Sequence, residues 1–168
     1  RTVFSTYQGY QEIRGLNQDG NYIANLDPNS TIDFGAIELD KTTEVYNYLS
    51  SNFDYAFYVD GFMVSIPNRD DMEISLCYMN KAHYDLTQFN LSQGTGLTFD
   101  YRFDGNSEIP VLIGKGLSKT YPVGSTIDLE DPALGQEITL RVQGVLEQNA
   151  YHSNYYTLNS KSYYNYSI

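Results

Sequence analysis

The sequence predicts an α+β fold, with one or two twisted mixed β-sheets and two or three short helices. Three observations lead there. Met72, Ile74, Leu76 and Tyr78 alternate with Glu73, Ser75 and Cys77, and Ile138, Leu140 and Val142 alternate with Thr139, Arg141 and Gln143, the period of half-buried strands. Asp40 offers an N-cap for a helix running to about Ser51, with Val45 and Leu49 at i, i+4 and Tyr48 beside them. Between Ile109 and Leu146 the chain reads strand, short helix, strand, hairpin, strand, punctuated by glycine.

In chain order, residues 1–26 carry no firm period. Asp19-Gly20-Asn21 and Asp27-Pro28-Asn29-Ser30 are turn signals, and Tyr22, Ile23 and Leu26 fit the start of a strand. The stretch ending at Ile66 is rich in β-branched and aromatic residues and is one bent strand or a hairpin turning at Asp60-Gly61. The turn Pro67–Asp71 then makes it a hairpin partner of Met72–Met79. Ala82 to Phe89 fits a helical turn, and Gly94-Thr95-Gly96 a loop. Phe99, Tyr101 and Phe103 alternate with Thr98, Asp100 and Arg102, so Thr98 to Ile113 reads as a hairpin turning at Asp104-Gly105-Asn106.

Val111, Leu112 and Ile113 follow Pro110 as a continuous apolar run, which fits a strand buried on both faces. Gly114 and Gly116 break it, and the segment to Tyr121 allows about two turns of helix with Leu117 and Tyr121 on one side. Val123 to Leu129 alternates apolar and polar, with Val123, Ile127 and Leu129 as the apolar positions of the next strand. Gly144 interrupts the last pleat between Val142 and Val145, as at a bulge or a close backbone approach. The tail after Gln148 is dense in Tyr and leaves room for one strand near Tyr155 to Leu158.

A chain of 168 residues suits one domain, 1–168, and buries roughly 70% of its unfolded surface. No apolar run approaches the ~20 residues that cross a bilayer, and the opening Arg1-Thr2-Val3-Phe4 does not read as a signal peptide. A net charge of -11 argues against a nucleic-acid partner, which needs clustered Lys and Arg, and makes a cationic peptide or basic protein the more natural one. The same charge also serves simply as a solvated surface. The single cysteine, Cys77, cannot form an intramolecular disulfide and reads as a buried structural thiol. Seventeen Tyr with no Trp and many Asn and Ser give an extracellular flavour.

Motifs that carry chemistry are weak. Gly114-Lys115-Gly116 after a buried strand lacks the third glycine of a dinucleotide loop, since position 119 is Lys119, and Gly116-Leu117-Ser118 is no Walker A ending. His83 and His152 are the only histidines, and neither has a His or Cys at ligand spacing, so no zinc site is expected. The carboxylate groups Asp70, Asp71, Glu73 and Asp128, Glu130, Asp131 fit turns and solvated charge rather than calcium or paired catalytic acids. No Ser nucleophile elbow occurs. The expectation is therefore a non-enzyme, with no catalytic, cofactor-binding or metal residues. Tyr151, Tyr155, Tyr156, Tyr163 and Tyr164 are the candidate partner-binding surface, because Tyr gives a large amphipathic contact at low entropic cost. Core and sheet-face roles for half the tyrosines are the plainer expectation.

Pro110, Val111, Leu112, Ile113, Gly114, Leu117, Tyr121, Val123, Gly124, Ile127 and Leu129, then Val142, Gly144, Val145 and Leu146, occur in an order and spacing that resemble the extracytoplasmic core domain of MacB-like and FtsX-like ABC transporter permeases. The match covers roughly a third of the chain. Thr95 and Ser125 stand where that family often carries a charged residue, which leaves the subfamily open. The resemblance implies two subdomains, a membrane-proximal one from 1–81 plus 147–168 and an inserted lobe at 82–146. It implies a non-catalytic module on the extracellular or periplasmic side of a bacterial membrane. ATP would bind a separate cytosolic subunit or domain, a second permease copy would complete the transporter, and an extracytoplasmic protein or peptide would be the substrate or partner. From the residues alone, the alternative is a secreted or surface Tyr-rich module that binds a glycan or peptide. A weaker third reading is a hydrolase using Asp70 and Asp128.

Overall fold

The computed structural model describes residues 7, 10, 11, 14, 19, 20, 39–67, 72–101, 106–132, 135–153 and 161–168. It is α+β. The chain forms two compact units, Arg1–Tyr55 with Ser153–Ser160, and Ala56–His152 with Lys161–Ile168. These boundaries differ from an inserted lobe at 82–146, because the hairpin preceding residue 81 packs into the same core as the strands that follow it.

In the first unit, α1 spans Leu39–Asn52; it ends close to the expected Ser51, but it begins before Asp40, which is therefore a helical residue and not the N-cap. The N–H of Phe53 continues the helical ladder onto the Leu49 carbonyl at 2.9 Å, and the Phe53 ring meets Tyr48 edge-on at 6.1 Å.

The second unit begins with β1 (Tyr58–Ser65) and β2 (Glu73–Met79), an antiparallel hairpin. Its register shifts between Val59 and Phe62, so Asp60-Gly61 bends one strand instead of reversing the chain. Asn80 then caps α2 (Lys81–Thr87), its Oδ1 accepting from the N–H groups of His83 and Phe57 at 3.0 and 2.9 Å. β3 (Leu91–Gly94) follows, in a stretch whose sequence carries no apolar alternation.

β4 (Ile109–Ile113), β5 (Thr126–Asp131) and β6 (Gln136–Leu146) build the main sheet. β6 is its axis. β4 runs parallel along one edge of β6, while β5 and β3 share antiparallel pairing with it. Ladder partners change over at Gln143. Before it, Val142 bonds Gly124 and Ser125, and after it the N–H of Thr95 donates to the Gln143 carbonyl at 3.1 Å. The β4 register skips Gln143, passing from Val111↔Val142 to Leu112↔Gly144, so the bulge anticipated at Gly144 is present. A Cβ on Gly144 would lie 2.6 Å from the Thr95 carbonyl oxygen, which is the close approach that requires glycine there.

Two expectations fail locally. Thr98 to Tyr101 is not a strand, and β4 pairs with β6, not with a hairpin partner upstream. Phe99 has φ +59°, outside the range of a strand. The segment after Gly114 makes one 3-10 turn, Lys115–Leu117, and not two helical turns. The reason is the C-terminal segment 164–168. Gly114 and Gly116 donate their N–H groups to the carbonyls of Ser167 and Asn165, both at 2.8 Å. On its other side the segment bonds β2: Cys77 N–H to the Ile168 carbonyl at 2.9 Å, and Ile168 N–H to the Ser75 carbonyl at 3.0 Å. The tail therefore joins the hairpin to the main sheet. The strand expected near Tyr155 to Leu158 lies outside the described residues; β7 (Tyr151–Ser153) and β8 (Lys161–Tyr163) pair with each other.

The core of this unit holds Ile66, Ile74, Leu76, Ile113, Leu117, Tyr121, Ile127, Leu140, Val142 and Val145, with Ile168 closing it. Leu117 and Tyr121 sit inside it together, as their spacing suggests, and the Tyr121 hydroxyl donates to the Pro67 carbonyl.

Candidate functional site

The fold-defining residues all serve packing or backbone shape. Pro110 lies in β4 opposite Arg141, and Gly124 takes φ +90° in the Pro122–Ser125 turn, where only glycine is unstrained. Leu117, Val142 and Val145 are 0–1% exposed. The acidic groups separate. Asp128 is exposed and accepts from Thr139 Oγ1 at 2.6 Å, Glu130 and Glu73 are exposed, and Asp70 and Asp71 lie outside the described residues. Asp131, by contrast, is buried and accepts from the Tyr78 hydroxyl at 3.0 Å. Burial first, and then the neighbouring Asp131 carboxylate, push the Tyr78 phenol far above its ordinary value. Among the described residues, no group of three or more His, Cys, Asp or Glu side chains gathers as a metal site.

The candidate tyrosines divide in the same way. Tyr163 is exposed on β8, 6.0 Å from Tyr151 in an edge-on pair, and Lys161 Nζ sits 3.8 Å over the Tyr151 ring. Tyr155 and Tyr156 lie outside the described residues. Tyr164 is a correction to the surface reading. It is 5% exposed, its hydroxyl is 2.5 Å from His152 Nδ1, and its ring packs edge-on against Phe89 at 5.0 Å.

Spacing alone could not pair the two histidines, which stand far apart in the chain. His83 on α2 stacks on Tyr58 at 4.7 Å, and His152 on β7 meets the same ring edge-on at 4.7 Å. The imidazole centroids are 6.1 Å apart and both residues are buried. Burial, and then the facing His152, lower the His83 pKa to about 4, so this ring is neutral at physiological pH.

Beside this cluster lies a cavity of about 210 Å³. Leu76 to Met79 of β2 form one wall, and Ile109 to Leu112 of β4 with Ile138 and Leu140 of β6 form another. Phe89, Leu97, Phe99 and Tyr101 supply the loop side, and Tyr84, Leu146, Tyr164, Ser167 and Ile168 complete it. The rings contact one another, with Tyr84 5.3 Å from Phe99 and 6.2 Å from Phe89. Phe99 holds its place at a backbone angle that costs a bulky residue on the order of 1–3 kcal/mol. Sequence reading missed this site. The aromatic alternation of 99–103 signalled a strand face, while in the structure Phe99 and Tyr101 are loop residues turned to a cavity wall.

The lining offers carbon and sulfur, with few polar groups. The Tyr78 hydroxyl is bonded to Asp131, the Tyr101 hydroxyl donates to the Ser107 carbonyl at 3.2 Å, and the Tyr84 oxygen accepts from the Leu97 N–H at 3.3 Å. Such a surface can hold an apolar group by contact and dispersion. No protein-family model, curated protein or solved structure matches the chain.

Proposed function

We propose that the chain is a non-catalytic extracytoplasmic domain of a MacB/FtsX-type ABC transporter permease. In this reading it couples ATP hydrolysis on a cytosolic subunit or domain to export, or to activation of an extracytoplasmic protein or peptide partner. The observation that carries it is the order and spacing of residues 109–146, together with the use made of them. Ile113, Leu117, Tyr121, Ile127, Leu129, Val142 and Val145 share one core, Leu112 and Leu146 sit in a second cluster, and the glycines sit at a turn, a bulge and a close backbone approach. A coupling domain needs such a stiff unit and a partner surface, and no reactive group. The test is topological. A cysteine placed at exposed Lys119 in a Cys77→Ser background of the parent gene product is labelled in intact cells by a membrane-impermeant maleimide. Labelling only after lysis overturns the proposal.

One observation favours a second reading, a surface module that binds a small or peptidic ligand: the aromatic-lined cavity with Tyr84, Phe89, Phe99 and Tyr164 in its wall. The parent gene separates the two. Apolar segments of ~20 residues on both sides support the permease, and a cleaved leader with a stalk supports the binding module.

A further inference from the structure

We propose that the 210 Å³ cavity between β2, β4 and the Tyr84–Phe99 wall is a binding site for a small neutral ligand that presents one aromatic ring. The site rests on the same cavity that favours the surface-module reading; ligand binding decides the site, and the segments flanking the chain in the parent gene decide that reading.

Four observations argue for it. The first is size: an apolar cavity of about 150 Å³ in another protein accommodates benzene, so 210 Å³ admits a ring with a small alkyl substituent, and no macrocycle. The second is chemistry. Tyr84, Phe89, Phe99 and Tyr164 surround the space with ring faces and edges, and Cys77 and Met79 add sulfur, the partners that an aromatic ring prefers. The third is neutrality. The hydroxyls of Tyr78 and Tyr101 are spent on Asp131 and Ser107, and the Tyr84 oxygen lies against the Gly96–Leu97 backbone, so a charged group would enter undercompensated. The net charge of -11 further disfavours an anion. The fourth is strain. Phe99 keeps its wall in place with φ +59°, a strained backbone angle of the kind that gathers at ligand sites.

The experiment uses the purified full chain and two probes of one shape, tert-butylbenzene and the cation phenyltrimethylammonium. Two readouts report on the cavity: the thermal midpoint, and the rate at which iodoacetamide alkylates Cys77 in its wall. The neutral probe raises the midpoint and slows alkylation, and the cation at the same concentration does neither. Leu97→Trp, which fills the space from the loop side, abolishes both effects with the circular dichroism spectrum unchanged. Should that variant fail to fold, Phe99→Gly removes a ring at a backbone angle natural to glycine and weakens binding about tenfold. Absence of any effect at saturating tert-butylbenzene overturns the proposal. So does equal binding of the cation, survival of the effects in the folded Leu97→Trp variant, or binding that Phe99→Gly leaves unweakened.

Discussion

The backbone N–H of Gly114 donates to the Ser167 carbonyl at 2.8 Å, and a Cβ on Gly114 would fall 1.8 Å from the carbonyl oxygen of Tyr164. The strand end and the C-terminal segment thus share a gap that only a hydrogen atom fits. Gly114→Ala should cost about 3 kcal/mol of unfolding free energy. Gly124→Ala meets open space and suffers only its φ of +90°, so it should cost about 1 kcal/mol. Urea midpoints at constant m-value compare them. Equal losses would mean that backbone angle, and not crowding, dictates glycine at 114.

Tyr163 and Tyr164 are neighbours with opposite surroundings, 58% and 5% exposed. Tyr163→Ala should change stability by less than about 0.5 kcal/mol, and Tyr164→Ala should cost about 3 kcal/mol through its lost packing on Phe89 and His152. Thermal scans of both variants test this; a Tyr163→Ala loss as large as that of Tyr164→Ala would contradict the burial described.

His83 predicts a defined acid sensitivity. Its folded pKa, about 4, lies below the ordinary 6.5, so protonation favours the unfolded chain. The contribution of this neutral ring is complete above pH 6.5 and is lost as pH falls from 6.5 to about 4. The total loss is roughly 2 kcal/mol. His83→Leu should flatten that part of the stability–pH curve, and a wild-type curve already flat between pH 6.5 and 4 would sink the assignment.

Tyr78→Phe keeps the ring in the cavity wall and removes the hydroxyl that donates to buried Asp131 at 3.0 Å. A hydrogen bond to a charged acceptor makes this a loss of about 1.5–3 kcal/mol. A double-mutant cycle with Asp131→Asn isolates the pair, and a coupling energy near zero would show that the two groups act independently.

Elements with a period were legible in the sequence. The alternation at 72–79 and 136–142 became strands that bury one face, and the spacing at 40–51 became a helix although Val45 and Tyr48 stay exposed on it. Gly144 was legible as a bulge or close approach, while Gly114 and Gly116 were legible as interruptions but not as contacts: what excludes a side chain at 114 is the segment 164–168, far along the chain. The cavity escaped for a related reason. Phe99 and Tyr101 carry the alternation of a strand, yet the local ladder has no partner for them, and their rings are claimed by Tyr84 and the cavity wall. His83 and His152 meet each other and the Tyr58 ring, a tertiary arrangement that leaves no mark in spacing.

The placing of 164–168 between β2 and the Gly114–Gly116 turn has a bearing on assembly order. The β1–β2 hairpin and the β4–β6 ladder can each form as their residues become available, but the groove joining them waits for some of the last residues described. Until then the outer edge of β2, where Ser75 and Cys77 hydrogen-bond Tyr166 and Ile168 in the folded chain, is open to strands of other molecules. Such long-range closure slows folding, so aggregation during refolding should fall when a synthetic peptide of sequence 161–168 is supplied in excess.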